Sequence, residues 1–163
     1  MRLQEGVKPY LLAVPVAIAV IAADLWTKRI AAASFADGPL TVIPGVLAFT
    51  FGENPGASFS MFQDGGSYLA LAAVVAVVVV LVALRQPRPT AEVVAFGLIM
   101  GGAVGNLTDR IFRADGFLDG HVIDWIQFPN FPIFNLADSA ITISVVLLFI
   151  VAWVQSRSEK VEA

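Results

Sequence analysis

The sequence predicts an all-α integral membrane bundle of four transmembrane helices with a small β-rich extramembrane cradle. Two observations carry this: an extreme composition, and four apolar stretches separated by polar ones. Hydrophobic residues make up 58% of the chain and charged residues only 14%, with mean hydropathy +0.80, whereas a soluble domain carries about 25% charged residues. Four spans of about 20 residues each would use half of the 163 residues, so the chain reads as a single membrane domain, 1–163, with no second domain. The formal charge of -3 is scattered, which excludes a nucleic-acid surface built on clustered Lys and Arg. Cysteine is absent, which excludes disulfides, thiolate metal sites, a Cys nucleophile and lipidation of the chain's own thiol.

The first helix is expected at about 9–30, within LLAVPVAIAVIAADLWTKRI, long enough to span but carrying Asp24 and Lys28 near its end. A cleaved signal peptide is the competing reading; Asp24 and Trp-Thr-Lys-Arg stand where a small-residue cleavage site belongs, so the segment is expected to stay. Residues 35–66 change to Gly, Pro, Asn, Phe and Thr with short alternations such as Val46 to Phe51, a pattern of short strands and turns outside the membrane. The second helix, 67–84, is SYLALAAVVAVVVVLVAL. Its β-branched run lowers helicity in water, but in lipid the helix wins because its backbone satisfies itself. After the basic loop RQPRPT a third helix is expected at 92–109, where Gly97, Gly101 and Gly105 recur every four residues, a small-residue face for close packing. Residues 110–136, rich in Asp, Gly and Pro, read as a loop. The fourth helix is expected at 137–155, with Trp153 as an interfacial anchor and the charged tail RSEKVEA after it.

Arg2, Lys8, Arg85, Arg88, Arg157 and Lys160 fall at one side of such a bundle, which is therefore assigned to the cytoplasm together with both termini. The other side carries Asp37, Glu53, Asp64, Asp115, Asp119 and Asp124 in its long segments. Any chemistry is expected to face outward.

Ionisable groups at membrane depth cost roughly 2.5–3.5 kcal/mol each on insertion scales, so each is a candidate for function. Asp24 and Lys28, and Asn106 and Arg110, are each four apart on a helix; Asp124 lies in GHVIDWIQF; Asn135 and Asp138 open the fourth helix in FNLADSA. Two carboxylates shielded from water cannot both ionise, so one acts as acid and the other as base. Asp124, in a loop apolar enough to dip into the interface, and Asp138, at a helix start, are the pair chosen for peptide hydrolysis. Plainer readings stand beside these. Asn135 or Asp138 can cap the fourth helix; Asp24 with Lys28 is a structural ion pair; Asp109 with Arg110 is an interfacial charge pair; Asn54-Pro55-Gly56 is a turn. His121, the single histidine, is an interfacial side chain, since a metal site would need partners that the His and Cys counts deny. No cofactor is expected.

Together DLWTK (24–28), ENPGASFS (53–60), GGAVGNLTDR (101–110), GHVIDWI (120–126) and FNLADSAI (134–141) resemble the lipoprotein signal peptidases, or type II signal peptidases, of bacteria. Each motif alone is weak; five in order between four apolar spans are specific and cover nearly the whole chain. The resemblance implies an intramembrane aspartyl protease of the bacterial inner membrane. Its catalytic pair would be Asp124 and Asp138, with Asp24, Lys28, Asn54, Gly56, Asn106, Arg110 and Asn135 in supporting and substrate-binding roles. It also implies a diacylglyceryl-modified prolipoprotein as substrate, cut immediately before the lipidated cysteine. Membrane lipids are the other expected partner, and a monomer is expected. Rival readings are a small transporter or proton relay, whose charges should spread through the bilayer, a structural membrane subunit, and a Ser-Lys hydrolase using Lys28 with Ser58 or Ser60.

Overall fold

The computed structural model describes residues 8–56, 65–114, 116 and 118–162. Arg2, Ser58, Ser60, Asp64, Asp115 and the Lys160 side chain lie outside the described residues, as does the second half of the 53–60 motif. Four helices are long and apolar enough to cross a membrane: α1 (Pro9–Ser34), α2 (Gly66–Ala83), α3 (Thr90–Phe112) and α4 (Leu136–Glu162). The expected spans are all present; α1, α3 and α4 run longer than expected, and α2 is shifted by one residue from 67–84. The largest difference is at α4, where the expected charged tail continues the helix, as strong helix formers such as Glu and Lys allow. Pro15 sits inside α1, a position tolerated in membrane helices whose neighbours re-satisfy the freed backbone groups.

The least apolar span is the most enclosed. The α3 window has a mean hydropathy of 1.4 and is 44% buried, against 17% for each of the other three, because α3 packs against α1, α2 and α4 at once. Its glycines make this possible. A Cβ at Gly97 or Gly101 would stand 2.8 Å from Val16 Cβ or 2.6 Å from Val20 Cβ on α1, and one at Gly102 would stand 2.5 Å from the Ala137 carbonyl on α4. The four-residue glycine spacing is thus the α1-facing seam of α3, as the small-residue pattern anticipated. Elsewhere the helices present Leu11, Ile18, Val75, Val79, Val146 and Phe149 outward, an apolar coat suited to lipid rather than water.

Three antiparallel strands cap one end: β1 (Leu40–Ile43), β2 (Leu47–Asn54) and β3 (Val122–Gln127), in the order β1-β2-β3. The first two occupy the segment expected to hold short strands. The third corrects the reading of 110–136 as loop. Val122, Ile123 and Asp124 are all buried, so the segment lacks the alternation that marks a half-buried strand. Its partner lies far away in sequence, with Asp124 opposite Gly52 and Val122 opposite Asn54. Lys8, Arg85, Arg88 and Arg157 lie at the other, basic end, where Gln155 Nε2 on α4 donates to Glu92 on α3 at 3.1 Å.

Candidate active site

At the cradle end, α4 begins with a reciprocal cap. Asn135 Oδ1 accepts the Asp138 backbone N–H at 2.9 Å, and Asp138 Oδ2 accepts the Asn135 N–H at 3.2 Å, the arrangement of a capping box built from Asn and Asp. The capping reading is therefore realised, and it fixes the Asp138 carboxyl in one rotamer. Its other oxygen accepts Asn106 Nδ2 at 2.8 Å. Asp124 is delivered from β3 and is likewise held on both oxygens, by Asn135 Nδ2 at 2.7 Å and Asn54 Nδ2 at 2.9 Å. Asn54 ends β2 and is aimed by its own turn, where Oδ1 accepts the Gly56 N–H at 3.1 Å.

Asp124 and Asp138 line one cleft of about 310 Å³ between the cradle and helices α2, α3 and α4. Its polar wall is Asn54, Asn106 and Arg110, and its apolar wall includes Leu69, Ala72, Ala73 and Ala76 of α2. Burial pushes the Asp124 carboxyl up to about 7, and the negative charge of Asp138 pushes the same way, against the hydrogen bonds from Asn54 and Asn135. Among the described residues no cation forms an ion pair with either carboxylate.

A second carboxylate pair lies beside the first and is fully neutralised. Lys28 Nζ forms ion pairs with Asp24 Oδ2 (2.7 Å) and Asp109 Oδ2 (2.9 Å) and donates to Asn106 Oδ1 (2.9 Å). Asp24 Oδ1 accepts the Ala137 N–H at 2.9 Å, tying α1 to the start of α4, and Asp109 Oδ1 accepts Arg113 Nε at 2.9 Å. A Cβ at Gly105 would stand 2.7 Å from Asp24 Oδ2, so that glycine makes room for the ion pair. The expected pairing of Asp109 with Arg110 is corrected: neighbouring residues on a helix point apart, and Asp109 pairs with Lys28 and Arg113 instead. Arg110 turns to backbone carbonyls, donating through Nη2 to Gly56 (3.0 Å) and through Nη1 to Pro55 (3.4 Å) and Gly120 (3.3 Å).

All nine candidate site residues fall in one unbroken chain of hydrogen bonds that starts from an ion pair. It runs Asp24, Lys28, Asn106, Asp138, Asn135, Asp124, Asn54, Gly56, Arg110. Lys28 is engaged by Asp24, Asp109 and Asn106, while Ser58 and Ser60 of the Ser-Lys reading lie outside the described residues. Sequence reasoning missed Asp109 as the second anchor of Lys28 and the alanine wall of α2. Signals existed for both: Asp109 and Arg113 are four apart, and residues 69, 72, 73 and 76 share one helical face. His121 is half exposed, 3.8 Å from Glu53.

The chain is similar over most of its length to proteins of one family. A family model described as signal peptidase (SPase) II matches residues 16–154. The lipoprotein signal peptidase of Anoxybacillus flavithermus is 36% identical over 163 residues, covering 97% of this chain and 93% of that protein. That of Rhodococcus jostii is 40% identical over 132 residues, covering 80% and 67%. A bacterial membrane enzyme solved by the in meso method at 2.3 Å resolution superimposes with a TM-score of 0.79 at 28% identity, covering 91% of this chain and 90% of that one. With a family match over most of its length and relatives more than 30% identical over nearly the whole chain, the chain belongs to the signal peptidase II family.

Proposed function

We propose that this membrane peptidase removes signal peptides from diacylglyceryl-modified prolipoproteins, cutting before the lipidated cysteine with a water activated by Asp124 and Asp138. The observation that carries this reading is the pair of buried carboxylates on one cleft, bridged by Asn135 and free of any ion-pairing cation, with Asp124 raised to about 7. Such a pair holds one proton near neutral pH. The ionised partner takes a proton from water as the water oxygen attacks the scissile carbonyl carbon, with Asp138 placed in that role. Asp124 first donates a hydrogen bond to the developing oxyanion, then passes its proton to the cysteine nitrogen as the C–N bond breaks.

The setting suits the substrate. A lipidated cysteine sits with its acyl chains in the bilayer, and the cleft joins an apolar α2 wall to the polar floor at the cradle end. A proton relay would need carboxylates spread through the membrane; among the described residues the buried ionisable groups gather at this one end. The basic end is read as cytoplasmic, with both termini, and the cradle as outward; a tag at Ala163 reachable from the outer face would overturn that orientation. The decisive assay incubates purified protein with a prolipoprotein in its diacylglyceryl-modified and unmodified forms. Cleavage of the modified form alone, leaving cysteine at the new N-terminus, is expected. Equal cleavage of both forms would remove the lipid from the reading.

A further inference from the structure

The basic end of the bundle holds a cleft that the peptidase reading does not use. Helices α1 and α2 both pack chiefly against α3, and where α1 starts and α2 ends they leave a space of about 600 Å³. Its walls include Tyr10, Leu81, Leu84 and Pro87, and its charges are Lys8 and Arg85. Among the described residues no acid lines it, and neither cation forms an ion pair. Two other described basic side chains at this end are occupied. Arg88 bonds Glu92 (3.1 Å) and the Ala83 carbonyl (3.0 Å), and Arg157 lies over the Trp153 ring at 4.3 Å. The first turn of α1 has neither an acidic residue nor a side-chain cap, so the positive end of its dipole opens at the same place.

We propose that this cleft binds one anionic phospholipid of the leaflet at the basic end, with the phosphate between Lys8 and Arg85 and an acyl chain along the apolar walls. Two cations of like sign around one space favour an anion between them, and the anion's chemistry is narrowed by what surrounds it. The walls are apolar and run on into the lipid-facing row Leu11, Val14 and Ile18 of α1, which a small soluble anion would leave uncovered. An amphiphile with a negative head and a long tail matches both parts. Basic pockets between membrane helices recognise lipid headgroups in this way.

The test uses the full chain purified in a neutral detergent. Binding is read by native mass spectrometry and by the unfolding temperature, in titrations with phosphatidylglycerol, phosphatidylcholine and sn-glycerol 3-phosphate. Phosphatidylglycerol is expected to bind and to raise the unfolding temperature, while phosphatidylcholine and glycerol phosphate do neither. Replacing both Lys8→Ala and Arg85→Ala should weaken phosphatidylglycerol binding about tenfold to thirtyfold. Leu81→Trp, which fills the wall without touching charge, should weaken it too, whereas Arg157→Ala should leave it unchanged. Equal binding of the two phospholipids, an equal loss in Arg157→Ala, or full binding by Leu81→Trp would each reduce the site to general surface attraction and overturn the proposal. Tight binding of glycerol phosphate would make it a phosphate pocket rather than a lipid site.

Discussion

Two carboxylate pairs lie side by side at the cradle end, and the protein treats them in opposite ways. Asp24 and Asp109 face Lys28 and Arg113, two negative charges against two positive ones, and Lys28 also donates to Asn106. Among the described residues Asp124 and Asp138 receive only amide donors, from Asn54, Asn106 and Asn135 and the backbone of Asn135. The guanidinium of Arg110, on the same cleft, donates to carbonyls. Neutral amides hold a carboxyl in position without fixing its charge; a cation fixes the charge as well. The first pair is thus matched by countercharges and joins helices, while the second, left without one, is suited to share a proton. Asn106 touches both, accepting from Lys28 and donating to Asp138, so the locked pair orients the unlocked one through a single side chain.

The largest expected effect falls on the unlocked pair. Asp124→Asn and Asp138→Asn should each lower the cleavage rate by at least the roughly 10²–10⁴-fold that acid–base catalysis contributes, while both proteins remain folded and membrane-inserted. Cleavage assays run beside thermal unfolding check this. Substantial turnover in either variant would erase the chemical distinction between the two pairs.

On the locked pair the expected loss is stability instead. Lys28→Met removes the cation from two buried carboxylates, and breaking a buried pair in this way costs about 3–5 kcal/mol. Adding Asp24→Asn and Asp109→Asn to Lys28→Met should restore part of that loss, because the stranded charges are then gone. A triple variant no more stable than Lys28→Met would show that the cost came from packing rather than charge.

This contrast was only half legible in the sequence. Asp24 and Lys28, four apart on an apolar helix, announced their pairing, because helical periodicity is local. That Asp109 completes the cluster depends on α1 and α3 crossing at Gly101 and Gly105, a tertiary event that the glycine spacing permits but does not specify. Asp124 and Asp138 were chosen from position, yet the strand carrying Asp124 read as loop, since a strand buried at successive residues shows no alternation and its partner β2 is far away in the chain. The bonds of Arg110 to backbone carbonyls were less legible still. Carbonyls carry no sequence signal, and the guanidinium placed among the substrate-binding groups both lines the cleft and holds the Asn54-Pro55-Gly56 turn.

That role gives a smaller, graded prediction. By gripping Pro55 and Gly56, Arg110 fixes the turn from which Asn54 reaches Asp124. Arg110→Ala should slow cleavage by an amount equivalent to about 1.5–3 kcal/mol, the value of a hydrogen bond to a charged group. Arg110→Lys should do nearly as much damage, since an ammonium cannot span carbonyls on both sides of the guanidinium fork. Wild-type activity in Arg110→Lys would show that charge alone suffices.

The smallest expected effect is the sharpest test of the comparison, because it has opposite signs in the two pairs. Asp124 titrates near 7 in the folded protein against an ordinary value of 3.8, so between those values the folded state binds more protons than the unfolded state. By linkage, stability falls as pH rises through this window and the full penalty is present above about pH 7. Asp124→Asn removes the charge that bears the penalty. Its amide must, however, turn an N–H toward Asn54 or Asn135, which are themselves donors here, and this mismatch cancels much of the gain. A net stabilisation of about 1 kcal/mol at pH 8 is expected, with little at pH 4 and a flatter pH profile than wild type. Asp24→Asn should instead destabilise at pH 8, because it takes the countercharge from Lys28 and weakens the bond to the Ala137 N–H. Thermal unfolding of the three proteins at both pH values decides the matter. If Asp124→Asn and Asp24→Asn move stability in the same direction at pH 8, the two pairs are electrostatically alike, and the division between a locked and an unlocked pair fails.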